Sequence, residues 1–249
     1  MRENNRGKEN LPETGKAALV TGGGRRIGQA VVLDLSQRGW DIALHYHNSE
    51  SEALKTRDQV VAMGNRCEIF HCNLADEEDA GQLIPQVLSS FPHLQLLVNN
   101  ASIFERATLS MTDPALLRRH LDINFVAPFI LTRDFALHVG RGLIINIADT
   151  KVSENFTPYF AYTLSKKLLA DFTAMAAKEL GPGIRVNAVC PGLILPPSGE
   201  DENYLKRRSA SLPLKQWGHV SDVTAAIQAL IDQTFITGVC LYVDGGEHL

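Results

Sequence analysis

Short apolar runs alternate with helix-length segments along almost the whole chain, and this rhythm admits few folds. Ala17-Ala18-Leu19-Val20 reads as a buried strand, Gly22 to Gly28 as a turn, and Ile27 to Arg38 as a helix with apolar Ile27, Ala30, Val31 and Leu35. Strand-like runs follow at Asp41 to Tyr46, Arg66 to His71, Leu94 to Asn99, Gly142 to Ala148, Ile184 to Cys190 and Gly238 to Val243, with helix-length stretches between most of them. Strands apolar on both faces need cover on both, and right-handed crossovers place helices on the two sides of a parallel sheet. The expected fold is a single doubly wound α/β domain of the Rossmann type with a parallel sheet of about seven strands. Ligands of such a sheet bind at the carboxyl ends of its strands.

At 249 residues and 45% hydrophobic, the chain can build one substantial core, so we expect one domain over residues 16–249 behind a flexible polar tail of residues 1–15. Lys and Arg total 24 against 28 Asp and Glu, a formal net charge of −4. That balance argues against nucleic acid and against an anionic membrane surface as partners. Cys67, Cys72, Cys190 and Cys240 show neither CxxC nor His-linked spacing, so neither a metal site nor a disulfide framework is expected, and a reducing compartment is. No apolar run approaches the roughly 18 to 20 residues of a membrane span, and residues 1–15 contain no apolar signal core. A cytoplasmic protein is the expectation.

The rhythm breaks at residues 193–213, where Pro196-Pro197-Ser198-Gly199 precedes Glu200-Asp201-Glu202 and Lys206-Arg207-Arg208. A polar insertion at the ligand edge is either a mobile surface loop or a lid over the substrate.

Thr21-Gly22-Gly23-Gly24-Arg25-Arg26-Ile27-Gly28 joins a strand to a helix. Glycines there let the backbone approach a ligand closely, and a helix amino terminus attracts phosphate, so a dinucleotide pyrophosphate fits; a ligand-free tight turn is the alternative. An acid closing the second strand would select NAD, but this chain has His45-Tyr46-His47-Asn48-Ser49 and no acid before Glu50. Arg25, His47, Asn48 and Ser49 can receive a 2′-phosphate by charge and hydrogen bonds, which favours NADPH. His45 and Tyr46 read as structural residues of the strand itself.

Tyr162 and Lys166 are four residues apart, on one face of a helix, close behind the strand that ends in Asp149. An ammonium beside a phenol favours the phenolate and draws its pKa down from about 10, which makes Tyr162 a candidate proton donor near neutral pH. Alone, this spacing more often marks an amphipathic residue and a solvated charge.

These segments together resemble the short-chain dehydrogenase/reductase family from about Lys16 to Gly246. The resemblance rests on the Thr21-Gly22 turn, Asn99-Asn100-Ala101-Ser102, Asn124 in a helix, Tyr162 with Lys166, Asn187 with Pro191-Gly192, and Val243-Asp244-Gly245-Gly246. Arg26 stands where the family has a glycine, and Asp149 stands where it has a serine. Both departures, with His45 to Ser49 and Asn100 to Phe104, look like the pteridine reductases and dihydromonapterin reductases.

That resemblance implies an NADPH-dependent reductase that converts a dihydropterin, of the dihydromonapterin or dihydrobiopterin kind and less readily dihydrofolate, to its tetrahydro form. It implies cofactor contacts from Gly22, Arg25, Arg26, Ile27 and Gly28, from Asn73 and Leu74 toward adenine, and from Asn100, Ala101, Ser102, Pro191 and Gly192. Lys166 would hold the nicotinamide ribose and acidify Tyr162, and Asn124 would sustain a water or backbone link behind Lys166. Phe104 would stack on the pterin, while Arg26 and Ser102 would touch both ligands. A homotetramer packed through helices around Thr112 to His138 and Pro158 to Leu180 is also implied.

Asp149 makes chemical sense on that branch. A ketone needs a donor for its developing oxyanion, which an ionised carboxylate would repel. A ring nitrogen that must gain a proton tolerates an acceptor carboxylate that orients Tyr162 or a water. Two alternatives stand beside this: a protonated Asp149 acting as an ordinary donor, and an Asp149 that caps the following helix, a role compatible with catalysis. The rivals to pterin reduction are a carbonyl reductase of the same family and a catalytically silent NADPH-binding scaffold.

Overall fold

Seven strands, β1 (Lys16–Val20), β2 (Trp40–Tyr46), β3 (Cys67–His71), β4 (Leu94–Asn99), β5 (Gly142–Ile147), β6 (Ile184–Pro191) and β7 (Cys240–Val243), form one sheet in the order β3-β2-β1-β4-β5-β6-β7. Every neighbouring pair is parallel. The computed structural model describes residues 15–197 and 199–249. Residues 1–14 of the expected tail, and Ser198 of the expected lid, lie outside the described residues.

Period-two alternation splits the strands between two cores. Ala18, Val20, Leu96, Val98, Ile145 and Ile147 face one side, where α1 (Arg26–Gln37) contributes Val31, Val32 and Leu35 and α8 (Val220–Asp232) contributes Val223, Ile227 and Leu230. Ala17, Leu19, Leu97 and Ile144 face the other, against Leu83, Ile84 and Val87 of α3 (Glu77–Ser90), Leu131 and Phe135 of α5 (Ala127–His138), and Ala176 and Ala177 of α6 (Phe160–Leu180). Each fully buried Leu, Ile or Val of this kind contributes roughly 1.5–3 kcal/mol of transfer free energy. The remaining helices are α2 (Glu50–Ala62), α4 (Pro114–Leu121) and α7 (Glu202–Ser209).

Strand order reverses between β1 and β4, which opens a crevice at their carboxyl ends. Two expected spans are corrected by the structure. The helix around Thr112 to His138 is three pieces: α4, a π-helical stretch over Asp122–Val126, and α5 with Pro128 in its first turn. Proline lacks the amide that an uninterrupted α-helix would need there, and wider turns of this sort accumulate at functional sites. Residues 193–213 are not a plain loop, because α7 lies within them. Asp201 caps α7 through the Asn203 amide at 2.9 Å, and Lys206, Arg207 and Arg208 complement its carboxyl end.

Candidate active site

The crevice is a cavity of about 990 Å³, and the backbone around β1 shapes its floor. Gly22 has φ 63°, and a Cβ on Gly28 would come within 2.2 Å of the Gly22 carbonyl, so helix α1 approaches the turn this closely only with glycine at position 28. Asn100 ties β4 to the same turn: its side-chain amide donates to the Thr21 carbonyl at 2.8 Å, and the Asn100 and Ala101 backbone amides both donate to the Thr21 hydroxyl at 2.9 Å. Asn100 is therefore a brace of the turn as well as a lining residue.

At one end of the cavity, Arg25, Arg26, Ile27, His47, Asn48 and Ser49 line the wall. Among the described residues, the only carboxylates lining the cavity are Asp149, Glu200 and Glu247, and none of them lies in the segment just after β2. The first turn of α1 carries no acidic residue. This donor-rich end suits a phosphate-bearing ligand. Arg26 takes φ 55°, a conformation rare outside glycine, and its guanidinium donates to the Pro196 carbonyl at 3.0 Å, bridging the turn to the segment before α7. Asn73, Leu74, Ala101, Pro191 and Gly192 complete this half. The Asn73 side-chain carbonyl accepts from the Ala75 amide at 3.2 Å.

His45 is a scaffold residue. Its Nδ1 accepts from the Gly22 amide at 3.1 Å and its Nε2 pairs with the Cys72 carbonyl at 3.0 Å, which assigns the proton to Nε2. Burial pushes its pKa down to about 4. Tyr46 is likewise buried within the core.

The other half holds the reactive groups. Asp149 lies two residues beyond β5 and caps the 3-10 turn Thr150–Ser153, its Oδ1 accepting from the Lys151 amide at 2.8 Å. The Tyr162 hydroxyl donates to Asp149 Oδ2 at 2.6 Å. Lys166 Nζ donates to the Ile147 carbonyl at 2.7 Å and stands 5.9 Å from the centre of the Tyr162 ring. Capping and contact with the candidate proton donor thus coexist in one carboxyl group, one oxygen serving each.

Electrostatics reverse one expectation. Lys166 does not draw the Tyr162 pKa down in this arrangement; burial, then the Asp149 charge and hydrogen bond, raise it well above the ordinary phenol value. The reason is distance, because Asp149 touches the hydroxyl while the ammonium serves a backbone carbonyl. Burial pushes the Lys166 pKa down to about 8, against the pull of Asp149. Asp149 opens partly to the cavity, yet enclosure by protein raises its pKa despite the Tyr162 and Lys151 hydrogen bonds and the Lys166 charge.

Asn124 is fully buried behind the cavity wall, within the π-helical stretch. Its Oδ1 accepts from the Ile103 amide at 2.9 Å and the Ser102 hydroxyl at 3.1 Å, and its Nδ2 donates to the Ile103 carbonyl at 3.1 Å and the Ser165 hydroxyl at 3.0 Å. Asn124 thus fastens the loop after β4 to α6, one residue before Lys166.

Phe104 is 47% exposed at the cavity wall and edge-on to Tyr162. Tyr159 already stacks on it, with centroids 4.1 Å apart and planes 9° from parallel. Any flat ligand ring at Phe104 must therefore use its other face or displace Tyr159. Tyr159 was not legible as a site residue, although an aromatic three positions before Tyr162, on the approach to the same helix, is a usable signal.

With this geometry in place, a protein-family model described as enoyl-(acyl carrier protein) reductase matches residues 23–248. The chain belongs to the short-chain dehydrogenase/reductase family. It is an oxidoreductase of that family, and curated relatives agree. An uncharacterized oxidoreductase of Mycobacterium tuberculosis, MT0954, is 34% identical over 242 residues, covering 93% of this chain and 91% of that one. The 3-oxoacyl-[acyl-carrier-protein] reductase FabG of Staphylococcus aureus is 29% identical over 94% of this chain and 98% of its own. Among solved structures, FolM alternative dihydrofolate reductase 1 from Brucella canis, complexed with NADP, superimposes with a TM-score of 0.87 at 34% identity, covering 93% of each chain.

In this oxidoreductase, every expected site residue except Asn124 lines this cavity. The cleft also takes in residues that the sequence alone did not single out as ligand-facing, notably Tyr159, Lys151, Arg208 and Glu247. Among the described residues, no helix is long and apolar enough to cross a membrane.

Proposed function

We propose that this reductase transfers a hydride from NADPH to a dihydropterin and yields the tetrahydropterin. The observation that carries the reading is the Tyr162 hydroxyl donating to Asp149 at 2.6 Å, where a ketone reductase needs a second donor aimed at substrate oxygen. The likeness to FolM at 34% identity supports the same choice of substrate class, and the NADP in that structure supports the cofactor.

Arg25, His47, Asn48 and Ser49 are the residues suited to hold the 2′-phosphate, with no carboxylate among the described residues beside them on the cavity wall. Gly22 to Gly28 and the start of α1 would receive the pyrophosphate, and Lys166 and Tyr162 the nicotinamide ribose. NADPH supplies the hydride when bound. The chain's own task is the proton: Tyr162, kept protonated by its raised pKa, holds it at the hydroxyl, and Asp149 orients that hydroxyl and shares the proton. Phe104 offers a flat face for the pterin.

A second reading, NADPH-dependent reduction of a ketone or acyl substrate, draws support from the FabG relatives and from the description of the matching family model. NADPH oxidation with dihydrobiopterin and dihydromonapterin, set against a panel of ketones and acetoacetyl thioesters, separates the two. Turnover confined to the ketone panel rejects pterin reduction, and cofactor binding without turnover of any substrate favours a silent scaffold. Exposed apolar residues on α5 and α6, including Phe129, Leu137, Leu168 and Met175, support assembly as a homotetramer, and a cytoplasmic location fits the four free cysteines.

A further inference from the structure

The segment after β7 folds back onto the turn that follows Asp149. Asp244 is buried; its Oδ2 accepts from the Thr150 hydroxyl at 2.5 Å, the His248 amide at 3.0 Å and His248 Nδ1 at 2.8 Å, and its Oδ1 accepts from the Gly246 amide at 2.9 Å. Gly192 makes room for it, because a Cβ there would lie 2.5 Å from the Asp244 Cβ. Glu247, with 11% of its side chain exposed, pairs with Lys151 Nζ at 2.9 Å and with Arg208 of α7 at 3.4 Å.

The two residues gripped in this way are the two that follow the catalytic carboxylate. The Lys151 amide is itself the donor to Asp149 Oδ1, so the placement of the turn sets where the carboxyl group points. A buried carboxylate collecting four hydrogen bonds is a rigid anchor, because each lost partner leaves charge unsatisfied in a poorly solvated place. The Glu247 pair adds a second anchor and reaches α7, which borders the same cavity through Tyr204 and Arg208.

We infer that Asp244 and Glu247 are positioning residues that aim Asp149 at Tyr162 by holding Thr150 and Lys151, and that Glu247 links α7 to the same turn. The inference rests on the reading of Asp149 as the group that manages the proton. Small displacements of such a group are costly: a shift of about 1 Å can lower turnover as much as 100-fold.

The test uses the full chain with carbon-13-labelled aspartate, the Asp149 carboxyl resonance being assigned with Asp149→Asn. Thr150→Val removes the donor to Asp244 while keeping the shape, Thr150→Ser restores a hydroxyl, and Glu247→Gln removes the second anchor's charge. The Asp149 resonance is expected to move in Thr150→Val and Glu247→Gln and to return toward its wild-type position in Thr150→Ser. Turnover with the substrate that the wild type accepts should fall about tenfold in Thr150→Val, in kcat rather than in the KM for NADPH, and recover mostly in Thr150→Ser. An unmoved resonance and unchanged kcat in folded Thr150→Val overturn the inference; where that variant fails to fold, Glu247→Gln decides by the same resonance. A wild type that turns over ketones and no dihydropterin rejects the proposed substrate class, and the resonance still decides the positioning role.

Discussion

The Tyr162 hydroxyl points at Asp149 Oδ2 from 2.6 Å, and the two residues lie thirteen apart in sequence, one just beyond β5 and the other in the first turn of α6. A phenol that gives its hydrogen bond to a carboxylate is held in one orientation and stays protonated, and with its pKa raised it gives the proton up only to a nitrogen that has gained electron density. Tyr162→Phe should therefore lower kcat by about 10²–10⁴, measured as NADPH oxidation at saturating dihydropterin. A loss of less than about tenfold would mean that another group carries the proton.

Lys166 provides a pH limb. Its pKa is pushed down to about 8 by burial, so its charge is present below that pH and lost above it. If the charge supports the cofactor ribose and the proton donor, kcat/KM should fall as pH rises through about 8. The pH profile of kcat/KM checks this, and a flat profile up to pH 10 would contradict it.

His45 sets an acid limit on stability. Its folded pKa of about 4 lies below the ordinary 6.5, so between these values the unfolded chain binds a proton that the folded protein refuses. Stability is then complete above pH 6.5 and declines as pH falls toward 4, by about 3 kcal/mol from this residue. Urea unfolding at several pH values should show that slope, and a His45→Gln variant should flatten it while losing stability at neutral pH.

Gly28 tests the floor of the cleft. A Cβ there would meet the Gly22 carbonyl at 2.2 Å and the Asn100 side chain at 2.6 Å, so Gly28→Ala must push α1 away from the turn. NADPH affinity, read by fluorescence titration, should fall at least tenfold, equivalent to about 1.4 kcal/mol. Thermal unfolding of the variant separates loss of the site from loss of the fold.

The strands and their parallel arrangement were legible because strands buried on both faces carry near-continuous apolar runs, as Leu143 to Ile147 does, whereas their order in the sheet was not. Spacing likewise exposed Tyr162 and Lys166, since a helix turns four-residue separation into one face. Helix α7 was hidden, being eight residues long and largely polar, although Asp201 and the run Lys206 to Arg208 marked its two ends. Contacts between distant segments were beyond reach: nothing in the sequence pairs Asn124 with Ser165, stacks Tyr159 on Phe104, or brings Asp244 to Thr150 across 94 positions. Helical spacing likewise gives the position of Lys166 but neither the burial of Tyr162 nor its bond to Asp149, which together set the direction of its pKa.

The most direct test compares wild type with Asp149→Ser, each supplied with NADPH and either dihydrobiopterin or a ketone panel. An acceptor carboxylate serving a ring nitrogen predicts that wild type consumes dihydropterin, and that Asp149→Ser loses at least tenfold in pterin kcat, about 1.4 kcal/mol of transition-state stabilisation. Pterin turnover that rises in Asp149→Ser, or a wild type that reduces only ketones, would contradict it.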